Sequence, residues 1–139
     1  MKPAEILILP KRLRQQIIDH AREAVPMEAV GFVAGDTDGR AREVMPLRNV
    51  AAGGSFFVDP FDQFQAELSM KERGLTLVAV YHSHPGGGAQ LSAVDLAFAA
   101  LRPVLYIVIA LARAHTSAVE IQAYRIDNKL PVHIEINSG

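Results

Sequence analysis

Residues 75–95 have the sequence LTLVAVYHSHPGGGAQLSAVD. The run up to Tyr81 is almost entirely apolar and predicts a buried strand that leads directly into two histidines. Because side chains alternate along a strand, His82 and His84 point to the same side and can reach one ion. The glycine-rich loop lets the chain fold back, so that Asp95 can supply a third, anionic ligand. Three protein ligands and a fourth position for water are typical of a catalytic zinc site, which the stretch therefore predicts.

The same stretch also fits a simpler interpretation. Ser92 and Asp95 border an apolar run at residues 93–101, and a serine cap with an aspartate in the first turn is common at a helix N-terminus. A His-x-His pair at a strand edge also occurs without a metal. The two features occur together across a loop of seven residues that contains three glycines, and this conjunction favours the metal site.

Composition restricts the class of protein. With 139 residues the chain is long enough to bury its own core, and we expect one domain over residues 1–139. Lys and Arg number 14 against 15 Asp and Glu, so that no basic excess indicates nucleic-acid binding. The absence of cysteine excludes a thiolate zinc site and a thiol nucleophile. The apolar run near the N-terminus is too short for a signal peptide or a membrane span, so we expect a cytoplasmic protein without a membrane partner. Its oligomeric state stays open.

Hydrophobic periodicity along the chain predicts an α/β fold with one mixed, largely antiparallel sheet and helices packed against it. The run at 104–111 is uniformly apolar and β-branched, and it predicts the central strand. Pro10 opens the first helix, Pro26 stops it, and Asp59 caps the second helix. The predicted strands are 6–9, 28–34, 41–46, 55–58, 75–81, 104–111, 119–126 and 132–136, and the predicted helices are 10–25, 60–73 and 93–101.

The histidine segment resembles a known family. The pattern His82-x-His84, seven residues, Ser92-x-x-Asp95 matches the His-x-His-x7-Ser-x-x-Asp signature of the JAMM (MPN+, Mov34/JAB1-type) zinc metallopeptidases. The match is residue for residue, and the resemblance spans nearly the whole chain. It implies Zn²⁺ as the cofactor and a cytidine-deaminase-like architecture, the MPN/JAB domain.

The family also has a catalytic glutamate in an apolar segment after its first helix. Residues 26–35 are similar to that segment, so the resemblance implies that Glu28 accepts a proton from the attacking water and passes it to the departing amine. A glutamate in a surface ion pair is the alternative when this residue is considered by itself. Many relatives carry cysteine at the position of Val30, but that cysteine is not among the family's zinc ligands. Ser92 can stabilise the oxyanion, and it can cap a helix as well.

The resemblance further implies a class of substrate. Compact prokaryotic members of the family resemble processors of ubiquitin-like β-grasp proteins, which include sulfur carriers that end in Gly-Gly. This chain has only 44 residues after Asp95 (139 − 95) and so little room for the segments with which larger members grip polyubiquitin. The loop at residues 86–88 would form a flexible rim for a diglycine tail, and an exposed sheet edge could hold that tail by β-augmentation. Hydrolysis of a peptide or isopeptide bond after Gly-Gly is the predicted reaction.

Two other functions stay open from the sequence. A non-catalytic MPN scaffold is one of them, although such domains typically lose the ligand residues that this chain retains. A metal-dependent enzyme like RadC is the other, because the RadC relatives share the His-x-His-Pro and Ser-x-x-Asp pattern. Those relatives usually carry an additional N-terminal region resembling a DNA-binding domain, and the charge balance of this chain argues against DNA binding.

Overall fold

The computed structural model describes residues 5–51, 56–92, 104–111 and 119–139. In chain order these residues form β1 (Ile6–Ile8), α1 (Lys11–Ala24), β2 (Val30–Gly35), β3 (Ala41–Leu47), α2 (Pro60–Glu72), β4 (Thr76–His84), β5 (Leu105–Leu111), β6 (Val119–Asp127) and β7 (Leu130–Asn137). The strands make one sheet in the order β1-β7-β6-β5-β4-β2-β3. β4 pairs in parallel with β5, and β1 with β7, whereas the other neighbouring strands are antiparallel. The predicted mixed, largely antiparallel sheet is therefore confirmed.

β5 lies in the middle of the sheet, with three strands on each side of it. Its first six residues are buried, and only Leu111 is partly exposed. A strand that is buried on both faces needs a nearly continuous apolar sequence, which the segment LYIVIAL provides. The prediction of a central strand here is confirmed, and the strand's parallel neighbour β4 is thereby placed inside the sheet as well.

The two helices cover opposite faces of the sheet. On one face, Leu13, Ile17 and Ala21 of α1 recur at helical spacing and are buried in the same cluster as Tyr81 of β4. On the other face, α2 contributes Ala66 and Met70 to a second apolar cluster, which also contains the β4 residue Val80. Successive residues of β4 thus face opposite layers of the molecule. Neither helix among the described residues is long and apolar enough to cross a membrane.

A polar contact on the α1 side fixes the middle of β4. Tyr81 is fully buried, and its hydroxyl lies 2.6 Å from Nδ1 of His20 in α1. Burial raises the pKa of Tyr81 and lowers the pKa of His20, so both groups are neutral at pH 7 and the phenol can donate to the imidazole. Gly31 of β2 lies against the same phenol ring, and a Cβ there would overlap two ring carbons and the hydroxyl oxygen. Close packing therefore favours glycine at this position.

Several predicted boundaries are wrong at the end of the sheet where Glu28 and the two histidines lie. β2 begins at Val30, so Glu28 lies just before the strand and not inside it. β4 continues beyond Tyr81 to His84, because its parallel pairing with β5 extends to the last histidine. The predicted strand at 55–58 is reduced to one bridge between Val58 and Asn49, and residue 55 lies outside the described residues.

The helix predictions have mixed outcomes. α1 ends at Ala24, one residue earlier than predicted, and Val25 is half exposed. The Asp59 carboxylate accepts hydrogen bonds from the amides of Phe61 and Asp62, which confirms Asp59 as the cap of α2. The predicted helix at 93–101 lies outside the described residues.

Candidate metal centre

β4 ends in two histidines whose side chains converge. The Nε2 atoms of His82 and His84 are 3.1 Å apart, and their ring centroids are separated by 4.9 Å. Ser83, which lies between them, is fully buried and hydrogen-bonded on the opposite side, as strand alternation predicts. The two imidazoles therefore present one nitrogen each to a common position.

The His84 ring is oriented by the loop that follows it. Its Nδ1 lies 2.8 Å from the carbonyl oxygen of Gly88. A carbonyl can only accept a hydrogen bond, so the proton of the neutral ring is assigned to Nδ1 and the lone pair to Nε2. A histidine that ligates a metal commonly donates its second N–H in this way. The tautomer of His84 thus suits metal binding through Nε2.

The His82 ring is held by packing. It is only 1% exposed, and the ring of Phe56 lies against it with a centroid separation of 4.7 Å and an interplanar angle of 31°. Aromatic rings at this distance contact each other over much of their surface. The orientation of the buried imidazole is therefore fixed by an apolar neighbour.

Glu28 approaches the histidines from the segment that connects α1 to β2. One carboxylate oxygen of Glu28 and the ring nitrogens of His82 and His84 all lie within 4.8 Å of one another. The backbone next to Glu28 is tied to β4, because the Ala29 amide donates to Oγ of Ser83 at 2.8 Å and the Ser83 amide donates to the Ala29 carbonyl at 3.0 Å. Pairing between the two segments thus brings the carboxylate to the imidazoles.

This donor set fits a zinc ion. Zinc bonds to histidine nitrogen at roughly 2.0–2.1 Å in tetrahedral geometry, which places two ligand atoms about 3.3 Å apart. The separation of 3.1 Å between the two Nε2 atoms is close to that value. Imidazole and carboxylate are ligand types that zinc accepts, and the cluster is partly buried. Within the part of the chain that the structure describes, Glu28, His82 and His84 are the group that can hold a metal.

The remaining predicted site residues lie at the border of the described chain. Ser92 is exposed at the last described position of the loop, and Asp95 lies outside the described residues. The structure therefore brings together three of the five predicted residues. The metal-ligand role of Asp95 and the oxyanion role of Ser92 stay predictions.

The loop after β4 is anchored at its far end. Ala89 is buried with residues of β5 and β6, and its carbonyl accepts a hydrogen bond of 2.6 Å from the Tyr124 hydroxyl. Burial and the nearby Glu120 raise the pKa of Tyr124, so the phenol stays protonated and can donate. Gly86, Gly87 and Gly88, which precede Ala89, are exposed, and a Cβ at Gly86 or Gly88 would meet no atom of the described residues within 4 Å. Packing against the described residues therefore does not require glycine at these two positions.

Sequence reasoning missed the residues that support the site. Asn49 is not among the predicted site residues, yet its side chain donates to the Glu28 carbonyl at 2.9 Å. Phe56 and Tyr124 were not expected near the histidines or their loop. An asparagine shortly after a strand indicates a turn, but no local pattern shows which distant backbone its amide contacts.

The fold and the histidine pair define a class of protein, the JAB/MPN domain. The family model for prokaryotic homologs of the JAB domain matches residues 10–127. The chain therefore belongs to this family, as its resemblance to the JAMM signature predicted.

Relatives with named activities share this domain. A Thermus thermophilus protein named as a probable TtuB-protein conjugate cleaving protease is 33% identical over 93 residues, which cover 66% of this chain and 62% of that protein. This match thus spans less than two thirds of the Thermus protein's length. The desampylase of Haloferax volcanii is 32% identical over 109 residues, 73% of this chain and 78% of its own. The CysO-cysteine peptidase of Mycobacterium tuberculosis is 27% identical over 123 residues, with 87% and 83% covered.

Solved structures agree with the fold of this chain. The solution structure of a Desulfitobacterium hafniense protein has a TM-score of 0.83 and 31% identity, and the match covers 94% of this chain and 91% of that one. The crystal structure of a JAB1/MPN domain protein from Archaeoglobus fulgidus has a TM-score of 0.61 and 18% identity, with 94% and 99% covered. The likeness to the Archaeoglobus structure concerns the fold alone. The two structures together confirm the predicted fold class.

Proposed function

We propose that the protein is a zinc-dependent metallopeptidase that cleaves the peptide or isopeptide bond after the C-terminal Gly-Gly of a ubiquitin-like β-grasp protein. The observation that carries the proposal is the convergence of two imidazole nitrogens and the Glu28 carboxylate within 4.8 Å. Zinc would be held by His82, His84 and Asp95, and when bound it would act as a Lewis acid toward the water and the scissile carbonyl.

The residues of the chain then have separate roles in hydrolysis. Glu28 accepts a proton from the attacking water as the water oxygen bonds to the carbonyl carbon. As the carbon–nitrogen bond breaks, Glu28 returns that proton to the departing amine. The Ser92 hydroxyl donates to the carbonyl oxygen while negative charge develops on it. His82 and His84 keep the metal in place beside the carboxylate.

The substrate class is supported by the names of the relatives. One is named as a probable TtuB-protein conjugate cleaving protease, one as a desampylase and one as a CysO-cysteine peptidase. Cleavage of a protein conjugate or adduct is the activity that the proposal extends to this chain. The exposed glycine loop beside His84 agrees with this class, because an extended diglycine tail can approach a backbone that carries no side chains. We propose a location in the cytoplasm, where such carriers would be encountered.

Glu28→Gln tests the mechanism. The amide cannot accept the proton of the attacking water, so we expect turnover to fall by roughly 10²-fold or more while the fold and zinc content are retained. The measurement is cleavage of an extended β-grasp carrier, followed by mass spectrometry, with zinc determined by elemental analysis. Glu135→Gln, an exposed glutamate in β7, is the matched control and should keep wild-type turnover. Near-normal activity of Glu28→Gln would remove Glu28 from the mechanism.

A further inference from the structure

The Asn49 side chain is hydrogen-bonded to the backbone of three other described residues, Glu28, Ala51 and Phe57, close to the candidate site. Its Nδ2 donates to the carbonyl oxygen of Glu28 at 2.9 Å. Its Oδ1 accepts from the amides of Ala51 and Phe57, each at 3.0 Å. A primary amide combines a donor group with an acceptor that has two lone pairs, so the side chain suits this set of partners.

The backbone of Asn49 is itself fixed to the beginning of α2. The preceding residue, Arg48, donates to the Asp62 carboxylate through its amide, Nε and Nη2, each at 3.0 Å. Its carbonyl accepts a hydrogen bond of 3.1 Å from the amide of Asp59, the residue that caps α2. Paired bonds between a guanidinium and a carboxylate restrict orientation as well as distance. The Asn49 side chain therefore extends toward Glu28 from a backbone that is hydrogen-bonded to the beginning of α2.

The Asn49 side chain also contacts the segment that packs on His82. The Phe57 amide donates to Oδ1 of Asn49, and the Phe57 carbonyl accepts from the Val50 amide at 2.8 Å. These bonds fix the position of Phe56, the neighbouring residue, whose ring lies against His82. One asparagine side chain thus contacts the backbone of the candidate base and the segment that packs on a candidate ligand.

We infer that Asn49 is a positioning residue, which sets the place of the Glu28 carboxylate relative to the His82 and His84 imidazoles. The inference rests on the proposed metallopeptidase function, in which Glu28 is the base. Asn49 acts through the Glu28 backbone and through Phe56. Small displacements of a catalytic group have large effects on rate, so loss of this amide lowers turnover more than it lowers stability.

Asn49→Asp is the most selective variant. Aspartate has the same shape and keeps an oxygen for the amides of Ala51 and Phe57, but as a carboxylate it cannot donate to the Glu28 carbonyl. We expect kcat to fall roughly 10- to 100-fold, with KM, zinc content and melting temperature close to the wild-type values. Asn137→Asp makes the same chemical change in β7 and should leave kcat unchanged. Wild-type kcat in Asn49→Asp would overturn the inference.

A double-mutant cycle distinguishes positioning from general damage. When Asn49→Asp is added to Glu28→Gln, the residual turnover should change by less than about 2-fold, because the residue that Asn49 positions no longer functions. An equal loss in both backgrounds would show that Asn49 does not act through Glu28 and would overturn the inference alone. Full activity of Glu28→Gln would instead refute the metallopeptidase mechanism and the positioning role with it.

The wild-type protein offers a second measurement if Asn49→Asp does not fold. The side-chain amide protons of Asn49 should exchange with solvent at least about 10-fold more slowly than those of Asn137, since the structure gives Nδ2 of Asn49 a fixed acceptor. Exchange at the same rate at both positions would overturn the inference.

Discussion

Zinc binding at the end of β4 would depend on both imidazoles, because their Nε2 atoms lie 3.1 Å apart and face the same position. We expect purified protein to contain about one zinc per chain and His82→Ala to lose most of it. His133→Ala, an exposed histidine in β7, is the matched control and should retain the metal. Elemental analysis of dialysed protein measures both. Full occupancy in His82→Ala, and likewise in Asp95→Ala, would show that the metal site lies elsewhere.

Ser92 has two predicted roles that one variant separates. Its hydroxyl can stabilise the oxyanion, in which case Ser92→Ala should lower turnover by roughly 10²–10³-fold with little change in stability. As a helix cap it would instead contribute about 1 kcal/mol to stability, and turnover would persist. Steady-state kinetics and thermal denaturation of the same preparation decide between the roles. Unchanged turnover together with a lower melting temperature would remove Ser92 from the chemistry.

At the scale of residues, sequence spacing was most informative where backbone geometry alone sets the direction of a side chain. His82 and His84 could be paired from the sequence because alternation along a strand sends both side chains to one side. Asn49 could not be placed, because its bond to the Glu28 carbonyl joins segments 21 residues apart through the sheet. The same applies to Phe56, whose ring contacts His82 although the two residues lie 26 positions apart in the sequence.

At the scale of elements, the pairing of β2 with β4 positions Glu28 relative to His82 and His84. Gly31 lies opposite Tyr81 in this pairing, and the buried phenol ring occupies the space where a Cβ would be. Gly31→Ala should therefore destabilise the protein by about 1–3 kcal/mol, because the ring that must shift is fully buried and hydrogen-bonded to His20. Urea denaturation followed by circular dichroism gives the free energy of unfolding.

A glycine in the exposed loop after β4 provides the control for Gly31→Ala. Gly86→Ala adds the same methyl group where the structure has open space, so its free energy of unfolding should stay within about 0.5 kcal/mol of wild type. Equal stability of Gly31→Ala and Gly86→Ala would show that the packing of Tyr81 against β2 is looser than the structure indicates.

A helix or strand could be predicted from the sequence where a single local pattern, either a continuous apolar run or apolar periodicity, covered the whole element. The uniformly apolar run of β5 identified the central strand, and the apolar periodicity of α1 identified its buried face. The end of β4 was placed too early, because polar His82 to His84 interrupt the apolar run although strand pairing continues through them. At the candidate site, strand pairing therefore continues through polar residues, which the hydrophobic pattern assigns to a loop.

At the scale of the whole molecule, large apolar side chains are exposed on the α2 side of the site. Phe57, Phe61 and Phe64 are each about 60% exposed, at 60%, 64% and 61%. Phe57 directly follows Phe56, the residue that lies against His82, so this apolar surface begins next to the candidate metal centre. Exposed apolar area of this kind commonly marks a surface that another protein covers.

A folded β-grasp carrier should therefore be cleaved faster than its isolated tail. The body of the carrier can bury apolar surface against the protein at a distance from the reacting bond, and this binding energy holds the diglycine tail in place. We expect a carrier extended beyond Gly-Gly to be cut at that bond at least about 10-fold faster, by kcat/KM, than a peptide with the same tail sequence. Phe64→Ser should reduce cleavage of the carrier while leaving the slower peptide reaction unchanged, and mass spectrometry identifies the bond that is cut. Equal rates on carrier and peptide would refute recognition of the folded body, whereas cleavage at bonds that do not follow Gly-Gly would indicate a general peptidase.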